Sequence, residues 1–160
     1  MITWHSCSWC RRRCAQLVRT MPHRPAIRHG HQWVFYTPAT DTLHMPIPPC
    51  FQSPEAYDAT LFHELVHATG HTSRLNRVTL TDLCLFGDPT YAKEELVAEM
   101  GAAYLCGVCG IAHATIDTSA AYLRSWMAVL RHDPTMLVQA AAQAQRAADY
   151  IQYLQPEAGV

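Results

Sequence analysis

Two histidines and a glutamate stand at metal-binding spacing in residues 61–71, LFHELVHATGH. On an α-helix, positions i and i+4 are about 40° apart around the axis and roughly 6 Å apart along it, so His63 and His67 can reach one metal ion. Glu64 follows His63 directly and lies beside the two imidazoles. In this HExxH arrangement two neutral imidazoles hold Zn²⁺, and the carboxylate takes a proton from the attacking water. The spacing predicts a metallohydrolase with His63 and His67 as metal ligands and Glu64 as the catalytic base.

The residues around the motif predict the helix that this geometry requires. Ser53 suits an N-cap, Pro54 suits the first helical position, and Gly70 suits the end of a helix. Between them, apolar residues recur at helical spacing, for example Leu61 and Leu65. The motif therefore falls inside a well-delimited amphipathic helix. The alternative interpretation is a core helix whose two histidines are only structural.

A catalytic zinc site normally has three protein ligands and one open position. In one known pattern a third histidine follows the motif, but Ser73 stands at that position and His71 comes two residues early. The other pattern takes a glutamate from a following helix, and Glu95 and Glu99 lie one turn apart on a helix predicted over residues 90–109. Glu95 is the predicted third ligand, and Glu99 is predicted to accept the N–H of a ligand histidine. The reverse assignment and a ligand role for His71 stay open.

Other side chains near these ligands have less specific predicted roles. His71, Tyr36 and Tyr91 are candidates for steadying the oxyanion of a peptidase reaction. Glu94 precedes the predicted third ligand, and its place near the start of the helix predicts a solvated acid of the first turn.

The composition is typical of a globular protein. A chain of 160 residues with 49% hydrophobic and 16% charged residues suits one domain and excludes a disordered chain. No apolar run approaches the roughly 20 residues of a membrane helix, and no signal-peptide pattern is present, so we expect a cytoplasmic protein with no membrane partner. The seven cysteines are an odd number, which argues against a disulfide framework.

Basic residues are concentrated at the start of the chain, although the net charge is only -1. Such a segment could contact nucleic-acid phosphates, and a solvated helix face is the alternative interpretation. His5, Cys7, Cys10 and Cys14 have a spacing that a small zinc knuckle could use, but no second pair of ligands follows.

Residues 26–50 predict β-structure ahead of the HExxH helix. Residues 32–37 are rich in aromatic and β-branched side chains, a turn follows, and residues 42–47 resume the extended pattern. This order predicts a hairpin or two strands of a small sheet. An edge strand at this place could pair with the backbone of a substrate. Two further helices are predicted over residues 118–131 and from Pro134 to about residue 154.

Several of these blocks resemble one known family. Residues 26–154 are similar to the C-terminal zincin-like metallopeptidase domain of ArdC-type antirestriction proteins, which also occurs in plasmid primases. The blocks that carry the resemblance are IRHGHQWVFYTPATDTLHMP, YDATLFHELVHATGHTSRLNR, YAKEELVAEMGAAYLC, AAYLRSWMAVL and AAAQAQRAADYI.

The resemblance implies an α+β fold of the zincin-like, gluzincin type, mostly helical, with a small β-sheet or hairpin before the HExxH helix. His63, Glu64 and His67 match the family's HExxH motif, and Glu95 and Glu99 match its acidic helix. The implied cofactor is Zn²⁺.

The implied function is that of a zinc-dependent metallopeptidase-like hydrolase of a mobile genetic element, associated with antirestriction or with plasmid or phage establishment. Its partner would be a peptide or protein substrate. Residues 1–25 match the family poorly, and we expect a basic, cysteine-containing segment, disordered or truncated, before a domain over residues 26–154 and a tail over residues 155–160. The alternative is a non-proteolytic DNA- or protein-binding antirestriction module with a metal-stabilised fold. Nucleic acid would then bind the basic N-terminal segment or a separate protein.

Overall fold

The computed structural model describes residues 7–77, 89–125 and 134–153. In this part of the chain, helices pack on one another, and one small sheet precedes the motif helix and packs against it. The elements are α1 (Ser8–Thr20), β1 (Ala26–His29), β2 (Phe35–Thr37), β3 (Thr42–Met45), α2 (Pro54–Thr69), α3 (Pro89–Cys109), α4 (Ala112–Ser125) and α5 (Pro134–Ile151).

The three strands form a mixed sheet in the order β1-β3-β2. Strand β3 is central, and its alternate side chains Leu43 and Met45 are fully buried in the core. Strand β2 pairs with β3 antiparallel across the turn, with Tyr36 opposite Leu43, so the predicted hairpin is confirmed. Strand β1 pairs with β3 in parallel, with Ala26 opposite Thr42. The antiparallel strand β2 is left at one edge of the sheet.

Helix α2 begins and ends where the sequence predicts. The Oγ of Ser53 accepts a hydrogen bond from the backbone N–H of Ala56 at 3.1 Å, and Pro54 occupies the first turn. Gly70 is the C-terminal cap, but its φ of -74° is an ordinary right-handed value that does not need glycine. The helix buries Leu61 and Leu65 in the core and leaves the histidines of the motif on its other side.

The Ser53 cap is the main local signal for the start of α2, and its loss has a measurable cost. We expect Ser53→Ala to destabilise the protein by about 1 kcal/mol because one N–H of the first turn loses its partner. For a chain of this size that corresponds to a fall in Tm of about 2–4 °C, measurable by circular dichroism. Ser53→Asp keeps an acceptor and is the control. An equal loss of stability in both variants would contradict the capping role.

Helices α2 and α3 approach each other closely at Gly101. A Cβ atom at this position would lie 2.8 Å from Cγ2 of Val66, which is too short a contact for a real side chain. The close approach brings the acidic face of α3 within reach of the histidines on α2. Helix α5 packs small side chains against the same pair, namely Ala140, Ala144, Ala147 and Ala148.

Helix α1 is packed against the core rather than separate from it. Cys10 and Cys14 are buried in the hydrophobic core, whereas Cys7 is exposed and His5 lies outside the described residues. The placement of these cysteines therefore does not favour the zinc knuckle that their spacing could form. The cysteines that the structure describes are free thiols. Within the described ranges, no helix has both the length and the hydropathy of a membrane span.

Candidate metal centre

Three side chains from α2 and α3 converge on one point. The Nε2 atoms of His63 and His67 are 3.2 Å apart. One carboxylate oxygen of Glu95 lies 3.6 Å from Nε2 of His63, and the other lies 3.5 Å from Nε2 of His67. Among the residues with described side chains, this is the one group of three or more His, Cys, Asp or Glu whose ligand atoms come together.

The donor set and its distances suit a zinc ion. Zinc–ligand bonds of about 2.0–2.1 Å in tetrahedral geometry place neighbouring ligand atoms about 3.3 Å apart. The Nε2 atoms of His63 and His67 are separated by 3.2 Å, close to this value, and each of these nitrogens has a different oxygen of Glu95 at 3.5 or 3.6 Å. Two imidazoles and one carboxylate also leave a fourth position open, as in catalytic sites. The structure thus brings His63, His67 and Glu95 together in the arrangement that the sequence predicted, and their ligand roles stay predictions for metal-binding experiments.

Each histidine has a carboxylate on its other ring nitrogen. Nδ1 of His63 lies 3.4 Å from Glu99, and Nδ1 of His67 lies 3.2 Å from Glu94. The hydroxyl of Ser119, on α4, also bonds to Glu99. A carboxylate on the outer nitrogen fixes the tautomer of a ligand histidine and its ring orientation. Glu99 is placed to support His63, and Glu94 is placed to support His67.

The prediction that Glu94 is a solvated acid is wrong. Its side chain is buried and lies between His67 and the guanidinium of Arg77, which is also buried. The Nε and Nη2 atoms of Arg77 both donate to the Glu94 carboxylate, and Nη1 donates to the Oγ1 of Thr69 at 2.6 Å. Nη2 also donates to the backbone carbonyl of Val66 at 2.7 Å. Arg77 therefore ties the segment after α2 to both helices of the centre.

Opposing effects set the protonation of these groups. Burial alone would lower the pKa of His67, but hydrogen bonds with Glu94 and Glu95 outweigh it and raise the pKa to about 10. Burial acts in the same direction on His63, and its bonds with Glu95 and Glu99 again raise the pKa. For Glu94, burial raises the pKa, but the bonds with His67 and Arg77 lower it to about 2. Since ligand histidines are neutral, a divalent cation would bind here in exchange for protons.

Glu64 lies beside the converging ligand atoms but is not one of them. It is 9% exposed, and burial raises the pKa of its carboxyl group, opposed by the charges of His67 and His63. The backbone N–H of Tyr36, on the edge strand β2, bonds to the carboxylate and favours its charged form. A nearly buried carboxylate with a raised pKa, held beside a metal site, is suited to accept and return a proton.

The structure gives the hydrogen-bond partners of two of the three candidates for oxyanion support. The hydroxyl of Tyr36 donates to Asp41 at 2.6 Å and accepts from Arg74 at 3.0 Å, and burial raises its pKa. Nδ1 of His71 lies 2.8 Å from the hydroxyl of Ser73. The side chain of Tyr91 lies outside those that the structure describes. Tyr36 and His71 thus have partners outside the metal centre, and the transition-state role of all three stays a prediction.

Sequence reasoning missed three contributors to the centre: Glu94, Arg77 and Ser119. No local periodicity marks Arg77, because its partners come from a different helix and from the end of α2. The burial of Glu94 could have been predicted from its position directly before Glu95. Neighbouring residues of a helix are about 100° apart around the axis, so Glu94 can still face α2 when Glu95 does.

Comparison with known proteins agrees with this architecture. Residues 16–143 match the family model of zincin-like metallopeptidases. A DNA primase TraC of Escherichia coli is 45% identical over 127 residues, which are 78% of this chain and 12% of that protein. The protein y4eC of Sinorhizobium fredii is 38% identical over 133 residues, 82% of this chain and 42% of that protein. This chain spans less than half the length of either relative.

A solved structure has the same fold. The antirestriction protein ArdC from plasmid R388, in its Mn(II)-bound form, is 36% identical with a TM-score of 0.67. The match covers 93% of this chain and 53% of that one. The metal-free structure of ArdC matches with a TM-score of 0.66 at 37% identity. The predicted zincin-like α+β fold, mostly helical with a small sheet, is confirmed, and so is the resemblance to ArdC-type proteins and plasmid primases. The chain belongs to the zincin-like metallopeptidase family.

Proposed function

We propose that this chain is a zinc-dependent peptidase domain that hydrolyses a peptide or protein substrate. The observation that carries the proposal is the position of Glu64, a nearly buried carboxylate beside the convergent His63, His67 and Glu95. A purely structural zinc site has four protein ligands and needs no additional carboxylate. Here the three-ligand set leaves a position for water, and Glu64 is available to act on it.

In the proposed reaction, different side chains of the chain hold the metal and transfer the proton. His63, His67 and Glu95 would hold the ion, which when bound supplies a Lewis acid for the scissile carbonyl and lowers the pKa of water. Glu64 accepts the proton of the attacking water and returns it to the leaving amine. Burial raises the pKa of its carboxyl group, which makes the carboxylate a stronger base for the first of these transfers.

The edge strand β2 offers a way to orient the substrate. It is the outer strand of the sheet beside the Glu64 carboxylate, to which the Tyr36 N–H bonds. An extended peptide that pairs with such an edge presents its backbone at a fixed register. The scissile bond would then lie along β2 in front of Glu64.

The relatives support a biological setting for this proposed function. They include a protein named as a DNA primase and a plasmid antirestriction protein. We place this chain with proteins of mobile genetic elements, acting in antirestriction or in plasmid or phage establishment within the cytoplasm. Zinc is the metal that the N, N, O donor set favours, although the related ArdC structure contains Mn(II).

Metal removal tests the proposal. We expect the purified chain to cleave peptides of a mixed library, to lose cleavage after dialysis against a chelator, and to regain it with one equivalent of Zn²⁺. Elemental analysis by mass spectrometry reports zinc and manganese in the same sample. Cleavage that continues in the metal-free protein would rule out the proposed mechanism.

A binding module is the second candidate, and the surface of α1 favours it. Arg11, Arg12, Arg13 and Arg19 are all exposed on this helix. Clustered arginines can neutralise nucleic-acid phosphates, and such binding weakens steeply with salt. Salt-sensitive binding of single-stranded DNA that persists in the presence of a chelator, together with no cleavage of any peptide, would favour this function.

A further inference from the structure

Two cysteines at the start of α1 take no part in the metal centre. Cys7 is the N-cap residue of this helix and is exposed, whereas Cys10, three residues later in the first turn, is buried. The spacing Cys-x-x-Cys is typical of proteins that exchange thiols with disulfides, and a helix N-terminus favours the thiolate that such exchange needs. The two residues therefore have both the spacing and the position of a redox-active dithiol.

The sulfur atoms of the two residues are close together. The thiol of Cys10 hydrogen-bonds to the sulfur of Cys7, and it lies 3.7 Å from the carbonyl oxygen of Gly110, directly after α3. Cα atoms three residues apart on a helix are about 5 Å apart, which lies within the roughly 4.4–6.8 Å that a disulfide spans. Because Cys10 is held against the end of α3 and Cys7 is exposed, an S–S bond between them requires only a rotation of the Cys7 side chain.

The two thiols differ in acidity. The backbone N–H groups of Cys10 and Trp9 and the thiol of Cys10 stabilise negative charge on Cys7, and with the charge of Arg12 they lower the pKa of its thiol. Burial and the neighbouring Cys7 sulfur raise the pKa of Cys10. In thiol–disulfide exchange an accessible thiolate attacks first and a second thiol then resolves the mixed disulfide. Cys7 has the properties of the attacking thiol, and Cys10 has those of the resolving one.

The surroundings of the pair favour exchange with a disulfide over the binding of a metal ion. Among the side chains that the structure describes, no third histidine, cysteine or carboxylate brings a ligand atom to the two sulfurs. The charged residues of α1 are all arginines, and Arg11, Arg12 and Arg13 follow the pair directly and are exposed. A substrate that approaches Cys7 encounters positive charge, which favours a substrate with carboxylates.

We propose that Cys7 and Cys10 form a redox-active dithiol that reduces a small disulfide bearing carboxylates, of the glutathione type. The Cys7 thiolate attacks one sulfur of the disulfide, forms a mixed disulfide and releases the first thiol of the substrate. Cys10 then gives up its proton and attacks the Cys7 sulfur, which forms the Cys7–Cys10 disulfide and releases the second thiol. Two electrons pass from the cysteine pair to the substrate, and the two cysteine protons end on the released thiols. This reaction uses neither the metal nor Glu64, so it is separate from the proposed peptidase function.

A tryptic peptide reports on the pair directly. Cleavage after Arg11 releases residues 1–11, whose cysteines are Cys7 and Cys10. The full chain is incubated with oxidised glutathione, quenched in acid, labelled with a maleimide, digested and analysed by mass spectrometry. We expect this peptide to change from a doubly labelled form to an unlabelled one that is lighter by two hydrogens than the free dithiol. A peptide that keeps both labels, or that accumulates only glutathione adducts, would overturn the proposal.

Single variants separate the two roles. In Cys10→Ser the mixed disulfide of Cys7 with glutathione should persist at least about 10-fold longer than in the wild type, because the intramolecular attack is lost. In Cys7→Ser the peptide should carry no glutathione, since only the buried thiol remains. Equal lifetimes of the mixed disulfide in the wild type and in Cys10→Ser, or a glutathione adduct on Cys10 in Cys7→Ser, would contradict the assigned order of attack.

Matched controls keep the test independent of folding. Cys50→Ser removes an exposed cysteine outside the pair and should behave as the wild type does. Serine is a favoured N-cap residue, so Cys7→Ser should fold, and Cys10→Ala repeats the buried substitution without a polar group. Circular dichroism compares the helix content of all variants, and the peptide measurement on the wild type depends on none of them.

Salt dependence tests the charge of the substrate. Between about 10 mM and about 1 M salt the screening length falls from about 30 Å to about 3 Å, which removes attraction between the arginines and a carboxylate-bearing substrate. Oxidation of the pair by oxidised glutathione should slow by about 10-fold over this range, whereas oxidation by the uncharged bis(2-hydroxyethyl) disulfide should not. The same salt dependence with both reagents would overturn the preference for an anionic disulfide.

Discussion

Glu64→Gln is expected to reduce peptide cleavage by about 10²- to 10⁴-fold, the usual contribution of a positioned general base and acid. The amide cannot accept the proton of the attacking water at neutral pH. It has nearly the same shape as the carboxylate, and its carbonyl oxygen can still accept the bond from the backbone N–H of Tyr36. The variant should therefore fold normally and lose only the proton transfer.

The measurement is kcat/KM on one peptide that the wild type cleaves, with metal content determined on the same samples. Glu55→Gln is the matched control, since Glu55 lies in the first turn of the same helix and outside the centre. We expect this control to retain wild-type activity and both variants to retain the metal. Full activity in Glu64→Gln would show that Glu64 is not the base, and loss of metal with activity would place it among the ligands.

The motif helix could be predicted in detail because its signals are local. Ser53, Pro54 and the apolar spacing that follows all specify the same element, and the structure has α2 over Pro54–Thr69. The hairpin of β2 and β3 was predictable for the same reason, since its turn and its alternating residues are neighbours in the chain. Agreement between several short-range signals is what makes such a prediction reliable.

Long-range pairings could not be predicted in this way. Strand β1 joins β3 in parallel, and nothing within residues 26–29 indicates which strand it pairs with. The apolar stripe predicts that α4 starts at residue 118, whereas the helix starts six residues earlier at Ala112, before the stripe begins. The second half of that predicted helix, residues 126–131, lies outside the described residues.

The arrangement of Glu94 and Arg77 shows why a solvated acid and a buried one look alike in sequence. Glu94 is buried because Arg77, 17 residues earlier, supplies two donors to it. Without that partner a buried carboxylate would be strongly destabilising, and the same residue would have to face water. Which residue can pair with Glu94 depends on the folded structure. The position of Glu94 in the helix alone therefore predicts the wrong environment for its side chain.

Four glutamates at the centre differ in the groups that each one contacts. Glu99 and Glu94 each contact the outer nitrogen of one histidine, Glu95 contacts both inner nitrogens, and Glu64 contacts the edge strand. Residue type is the same throughout, so the contacts alone distinguish the proposed ligand, the proposed supports and the proposed base. This division predicts a graded response to their removal.

Glu95→Ala is expected to lose zinc affinity far more than Glu99→Ala does. Removing Glu95 leaves two ligands of three, whereas removing Glu99 leaves the ligand set complete and only frees the outer nitrogen of His63. Loss of such an outer partner typically costs about 10- to 100-fold in metal affinity. We expect Glu99→Ala to fall in this range and Glu95→Ala to fall well beyond it.

Competition titration with a chromophoric chelator measures both affinities, and thermal unfolding with and without zinc gives an independent reading. A ligand at about 1,000 times its Kd stabilises the native state by about 4.1 kcal/mol, so the zinc-induced rise in Tm should nearly vanish in Glu95→Ala and persist in Glu99→Ala. The Tm values of the metal-free proteins control for folding. The reverse order of affinities would make Glu99 the third ligand, and equal affinities in all three proteins would exclude both glutamates.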